Sequence, residues 1–316
     1  MNPPVTGRAP IGAAAAIEAI RRRSSIRVHG ETPALRLLGI EDKFAARVQW
    51  REQVGKPVVD SELSTLDGVR NDIARRSKNE LQNARDEFRR RNKIATYFPD
   101  EGPFRRELYP KHMEVIRYTK EDDEILFMAA NKVGKTDLGG YCVARWAMGR
   151  YPDWWPGRVF DGPITAWVVN KTAKDTRDIN EAVLLGPPGN DADRGTGMLP
   201  AHLIQRCTPK PGTPHAFEFI NVEHVSGGTS YIVSKSYDQG REAFQGRNLP
   251  VCWNDEEVPK DIYDEEMLRI MVCGGLILST FTPIHGLTDM TTWFMEAAGF
   301  SLDALRHSQE NADDVE

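Results

Sequence analysis

Residues Ala129 to Thr136 read AANKVGKT, directly behind the apolar run Ile125, Leu126, Phe127 and Met128 and directly ahead of a helix-like stretch. A loop between strand and helix is where α/β proteins cradle phosphate. The usual pattern is G-x-x-x-x-G-K-(S/T). Glycine lets the backbone approach, N–H groups at the helix start face the anion, lysine meets the outer phosphates, and the hydroxyl faces Mg2+. Gly134, Lys135 and Thr136 fit, and Ala129 stands where the first glycine is usual, with Ala130, Asn131, Lys132 and Val133 completing the loop. The chain is expected to bind a nucleoside triphosphate. G-K-T triplets also occur by chance, so the rest of the sequence must supply the context.

At 316 residues, 40% hydrophobic and 28% charged, the chain has room for a sizeable core in one large domain or two smaller ones. It lacks the roughly 18 consecutive apolar residues of a membrane span, so a soluble, cytosolic protein without a membrane partner is expected. Cys142, Cys207, Cys252 and Cys273 lie far apart with no C-x-x-C pair, which argues against a zinc site or a disulfide framework. The net charge of -5 hides an asymmetry: residues 1–120 carry 24 Lys and Arg against 16 Asp and Glu, and the remainder 17 against 30. A basic N-terminal half is compatible with nucleic-acid contact and equally with solvated basic helices.

Along the chain, residues 1–59 mix Pro, Gly, Ala and Arg and read as a partly flexible extension, with short helices near Ala13 to Arg23 and Glu41 to Gln53. Asp60 or Ser61 caps a long helix with Leu63, Leu66, Ile73, Leu81, Ala84 and Phe88 at helical separations, so residues 60–100 read as a helical subdomain or lid. Residues 101–307 then alternate apolar runs and helical stretches, the sign of a mainly parallel sheet flanked by helices. Strands are expected at Glu124 to Ala130, Ile164 to Asn170, Ser230 to Ser236, Leu249 to Asn254 and Leu276 to Thr282, with a hairpin strand at Phe217 to Val222. Gly149 and the Gly186 to Asn190 loop are expected helix ends. Residues 308–316 read as an acidic disordered tail.

A triphosphate site also needs a carboxylate for Mg2+ and, for hydrolysis, a group to orient or deprotonate water. Val251 to Glu257 read VCWNDEE, a short apolar strand with Asp255 at its end, where ligands of open α/β sheets bind. Asp255 is the metal-directed candidate and Glu256 the water-polarising one, as in the additional-strand P-loop ATPases, with Ile164 to Asn170 as the expected additional strand. The competing reading makes DEE the acidic first turn of the next helix, with Glu257 a helix-start or interaction residue in either case. In LSTFTP, Leu278 to Pro283, Thr280 and Thr282 are candidates to sense the terminal phosphate, although threonine is also a common strand residue.

Taken together, these segments resemble one family, the large subunit of tailed-bacteriophage terminase. The resemblance runs through YFPDEGPFRRELYPKH (Tyr97 to His112), AANKVGKT, GRYPDWWPG (Gly149 to Gly157), GTGMLP (Gly195 to Pro200), SYDQGREAFQG (Ser236 to Gly246), NDEEVP (Asn254 to Pro259) and TFTPIHG (Thr280 to Gly286). It implies a RecA-like, additional-strand ATPase that couples Mg-ATP hydrolysis to movement of double-stranded viral DNA into a procapsid. It also implies work as a homo-oligomeric ring on the portal, with a terminase small subunit, in the host cell cytoplasm. By the same resemblance Lys135 and Thr136 are the phosphate lysine and magnesium hydroxyl, Asp255 the second metal-site residue and Glu256 the catalytic carboxylate. Thr280 with Thr282 form the coupling motif, and Lys132 is an extra phosphate-sensing cation. Tyr109 to His112 match the adenine-contacting region without its frequent Gln, which puts Tyr109 and His112 beside the base. The family's Arg-Gly before the second acidic motif is Gln245-Gly246 here, so Arg241 and Arg247 are the candidate arginine fingers. The family continues into a nuclease domain, and with about 30 residues after TFTPIHG no DNA cleavage is expected of this chain.

Trp154 and Trp155 sit in a Pro-rich loop and suit core packing or, less simply, base stacking. The histidines show no metal-binding spacing, and Thr288 with Asp289 reads as a helix start. Two other functional classes stay open: a nucleic-acid-remodelling ATPase outside packaging, and an assembly subunit that binds ATP without turning it over.

Overall fold

The computed structural model describes residues 60–102, 104–246, 249–283, 286 and 288–300. The expected N-terminal extension, Arg247 and the acidic tail lie outside the described residues. The chain divides into two compact units, one ending at Phe88 and the other beginning at Arg89.

The expected long helix is present as α1, Asp60–Arg91, which lies in the first unit up to Phe88. Leu81, Ala84 and Phe88 of its anticipated apolar stripe are exposed. In the second unit, one seven-stranded sheet holds β1 (Glu124–Met128), β2 (Thr165–Asn170), β3 (Ile204–Pro209), β4 (Phe217–Glu223), β5 (Thr229–Ser236), β6 (Val251–Asp255) and β7 (Leu276–Phe281). The order is β1-β7-β6-β2-β5-β4-β3; the pairs from β1 to β5 are parallel, and β4 and β3 add antiparallel pairs at the far side. The sheet is therefore mainly parallel and flanked by helices on both faces, as expected.

Every residue of β6 and β7 is buried, which their near-continuous apolar composition requires of central parallel strands. One face packs on α2 (Pro110–Glu121) and α3 (Lys135–Met148), the other on α4 (Lys260–Met271) and α5 (Asp289–Ala297). Helix α3 is sunk deepest, with 11 of its 14 residues buried. It ends as expected at Gly149, whose left-handed φ of 65° lets its N–H reach the Arg145 carbonyl. Thr288 caps α5 by accepting from the Thr291 N–H.

The structure corrects the assignment of the additional strand. The strand between β1 and β6 is β7, and Ile164 to Asn170, as β2, lies on the far side of β6. Two elements were not expected. Strand β3 is an edge strand with Arg, Gln and Pro and no apolar alternation. Helix α2 begins at Pro110 itself, at a helix's first position where proline's missing N–H costs nothing. Trp154 and Trp155 pack edgewise or tilted among Phe98, Tyr141 and Tyr151.

Candidate nucleotide site at the ends of three parallel strands

The AANKVGKT loop joins β1 to α3. Ala129 donates its N–H to the Phe281 carbonyl at 3.3 Å, prolonging the β1–β7 ladder, and its φ is not positive. A side chain is therefore tolerated where glycine is usual. The turn's unusual conformations fall later, at Lys132 with φ 64° and Gly134 with φ 83°. A Cβ at Gly134 would sit 3.4 Å from His112 Nε2.

Lys135 points back under the loop. Its Nζ donates to the carbonyls of Ala129 (2.8 Å) and Ala130 (2.7 Å) and to Thr282 Oγ1 (2.8 Å), while the Thr282 hydroxyl donates to Asn131 Oδ1 at 2.8 Å. Burial pushes the Lys135 pKa down, opposed by the charges of Asp255 and Glu256. One residue on, Thr136 Oγ1 lies 3.0 Å from each carboxylate oxygen of Asp255, across 119 residues of sequence. Asp255 Oδ1 also accepts from Thr280 Oγ1 at 2.8 Å. Asp255 is 3% exposed, and burial raises its pKa to about 7 against the lowering effect of the Thr280 and Thr136 hydroxyls. The ends of β1, β6 and β7 thus carry two adjacent bonded groups, Lys135 with Thr282 and Asn131, and, one residue on, Thr136 with Asp255 and Thr280.

Glu256 follows immediately, outside any helix, because α4 starts only at Lys260. The acidic-first-turn reading of DEE is therefore not the one realised. Glu256 adopts φ 137°, a region ordinarily left to glycine, and its carbonyl accepts from the Tyr237 hydroxyl at 3.0 Å. Its carboxylate lies 3.9 Å from Lys171 Nζ, a residue at the end of β2 that sequence reasoning missed. Glu257 instead accepts from Thr288 Oγ1 and ties the loop to α5.

The other expected site residues are placed differently. His112 is buried beneath the loop, edge-on to Phe98, Tyr109 and Phe127, and burial lowers its pKa. Tyr109 precedes α2 and lines, with Phe104, Leu108, Lys132 and Val133, an open cleft beside the loop. Arg241 donates through Nε and Nη2 to Glu265 Oε2, both at 3.2 Å, and is not part of the cluster.

Three further residues behind the cluster were not anticipated. The Trp253 indole N–H donates to Thr280 Oγ1 at 2.8 Å. Gly139 of α3 makes room for that indole: a Cβ there would lie 2.2 Å from two of its atoms. Glu266 of α4 is fully buried, accepts from Asn254 Nδ2 at 2.7 Å, and is raised by burial to about 7. The one sequence signal for this packing is the Gly139-Gly140 pair inside a helix, where glycine is disfavoured unless another element approaches closely.

The residues present suit a magnesium-bound triphosphate. Thr136 and Asp255 are hard oxygen donors side by side, and the start of the 14-residue α3 with the loop backbone favours an anion. Among the described residues no group of three or more His, Cys, Asp or Glu is arranged to hold a metal by itself. The same residues contain no helix long and apolar enough to cross a membrane.

Comparison with known proteins identifies the family. The family profile of the terminase large subunit, T4likevirus-type, N-terminal, matches residues 126–315. The terminase large subunit of Salmonella phage P22 is 30% identical over 205 residues, covering 60% of this chain and 41% of that relative, so the match spans about two fifths of the relative's length. A solved structure of large terminase from a thermophilic bacteriophage aligns with a TM-score of 0.38 and 16% identity, over 61% of this chain and 38% of that one. Since the family profile covers more than half of the residues, and the loop, Asp255 and Thr282 all fall inside it, the chain belongs to the family of terminase large subunits.

Proposed function

We propose that this chain is the ATP-hydrolysing motor part of a phage terminase large subunit, coupling Mg-ATP turnover to translocation of double-stranded viral DNA into a procapsid. The observation that carries the reading is the single bonded cluster in which Thr136, beside the phosphate-loop lysine, meets Asp255 and Thr280 at the ends of neighbouring strands. In this reading the loop backbone, Lys135 and Lys132 hold the phosphates, and Thr136 with Asp255 hold Mg2+. The metal, when bound, neutralises charge on the outer phosphates.

Glu256 orients water and takes its proton as the water oxygen attacks the terminal phosphorus and the bond to the bridging oxygen breaks. Thr282 bonds to both Lys135 and Asn131, so a change at the phosphate end of the loop reaches β7 directly. Tyr109 and its cleft are assigned to the base, whereas His112 is assigned to supporting the loop from beneath. Arg241 is held by Glu265 within the subunit, so its use as a finger toward a neighbour in a ring requires release of that pair. Portal, procapsid and small subunit are the partners proposed from family membership, with the host cytoplasm as the place of action.

The test is turnover of ATP by the purified chain with and without double-stranded DNA and procapsid. Glu256→Gln is expected to retain ATP binding and lose at least about a hundredfold in turnover, the usual scale of a lost general base. Lys135→Ala is expected to weaken binding. Normal turnover by Glu256→Gln overturns the catalytic assignment, and absence of turnover in every condition favours an assembly subunit.

A further inference from the structure

We propose that Trp253 is a positioning residue for the metal end of the site, holding the Thr280 hydroxyl so that its proton is directed onto Asp255. This inference rests on the magnesium-nucleotide reading above and extends it to a residue that touches neither ligand. An indole N–H can only donate. With Trp253 Nε1 at 2.8 Å, Thr280 Oγ1 must accept from it, which leaves the single hydroxyl hydrogen for Asp255 Oδ1 at 2.8 Å or the Asn254 carbonyl at 3.3 Å. The shorter contact, to the carboxyl oxygen, is the stronger one. Asp255 then presents both oxygens to Thr136, each at 3.0 Å.

The chain of donors therefore runs from indole to hydroxyl to carboxylate, and every member except Thr136 is buried. Packing alone does not call for tryptophan at this position, since any large apolar side chain would fill a central strand between two helices. The sequence also accepts a glycine inside α3 to admit the indole: Gly139 lies three residues after Thr136, and its missing Cβ is the space occupied by Cε2 and Nε1. The same indole thus seats the helix that carries Thr136 and orients the hydroxyl that meets Asp255. Both donors to the carboxylate are set by one side chain.

The experiment is calorimetric titration of the whole chain with a non-hydrolysable ATP analogue at stepped Mg2+ concentrations and in EDTA, for wild type, Trp253→Phe, Thr280→Val and the double variant. Trp253→Phe is expected to raise the Mg2+ concentration for half-maximal binding up to roughly tenfold, the scale of one lost intramolecular hydrogen bond. Binding in EDTA should not change. The double variant should be no worse than Thr280→Val alone, because phenylalanine still fills the space beside α3 and the indole N–H acts only through Thr280. Wild-type Mg2+ dependence in Trp253→Phe, or losses that multiply in the double variant, would overturn the proposal. If Trp253→Phe does not fold, benzothienylalanine placed at position 253 keeps the two-ring outline without the N–H, and the same shift is required of it. A wild-type chain that shows no Mg2+-dependent binding overturns the nucleotide reading itself, and this inference with it.

Discussion

At the scale of single residues, the AANKVGKT loop shows which positions of a motif are dictated by backbone geometry and which by habit. Ala129 continues a strand ladder with an ordinary φ, so its methyl group violates nothing, whereas Lys132 and Gly134 occupy left-handed conformations. Ala129→Gly, although it restores the usual pattern, is therefore expected to leave nucleotide affinity within about twofold, because no strain is relieved. A gain of tenfold or more in a binding titration would show that the alanine does hinder backbone approach. Lys132 carries its conformation without being glycine, a strain on the order of 1 kcal/mol that sites of function commonly hold. Its identity as the loop's extra cation was readable in the sequence; its left-handed backbone was not, since only the turn between β1 and α3 imposes it.

Among elements, α3 approaches β6 closely at Gly139. Gly139→Ala would gain about 1 kcal/mol of helix propensity but drive a Cβ to 2.2 Å from the buried Trp253 ring. Overpacking of a filled core outweighs this, so a net loss on the order of 2 kcal/mol is expected in chemical denaturation. A variant as stable as wild type would mean that α3 can shift outward freely. A second element-scale prediction concerns the helical segment after β2, where a π-helical turn, Thr176–Glu181, carries Glu181 into the core. Glu181 accepts from Ser234 Oγ at 2.8 Å and from the Phe217 N–H, and burial raises its pKa from 4.5 to about 7. A carboxyl raised on folding favours the folded state fully below its unfolded pKa, and that contribution is lost as pH rises through about 7. Glu181→Gln, which cannot ionise, should melt increasingly above wild type from about pH 4.5 to about 7, and by a constant margin at higher pH. Parallel melting curves across that range would show that the carboxyl ionises in the fold without penalty. The π turn itself left no mark in the composition of TRDINE.

For the whole molecule, the decisive feature is strand order. Placing β7 between β1 and β6 lets a loop threonine and Thr280 meet an aspartate 119 residues beyond that loop threonine, while the loop lysine meets Thr282 just past the end of β7. A ligand bridging these elements ties the sheet's first three strands together, so it should stabilise the second compact unit as a body. At 100 times its dissociation constant, a Mg2+-bound ATP analogue should add about 2.7 kcal/mol. For a unit of this size that is roughly 5–10 °C in melting temperature. EDTA or Lys135→Ala should remove most of the shift, and a shift that survives both would place binding elsewhere. The sequence by itself determined the elements whose signals are local: the loop between strand and helix, the central apolar strands, the acidic strand end and the caps at Gly149 and Thr288. Hydrophobic runs and backbone-restricted residues write those features into a few neighbouring positions. What only the tertiary structure decided was which strand lies between the two motifs, that Glu256 stands outside a helix with φ 137°, and that Arg241 is engaged by Glu265. It also decided that Trp253 is bonded to Thr280. Each of these depends on side chains distant in sequence meeting at the ends of parallel strands, where crossover connections separate by tens of residues what the sheet sets about 5 Å apart.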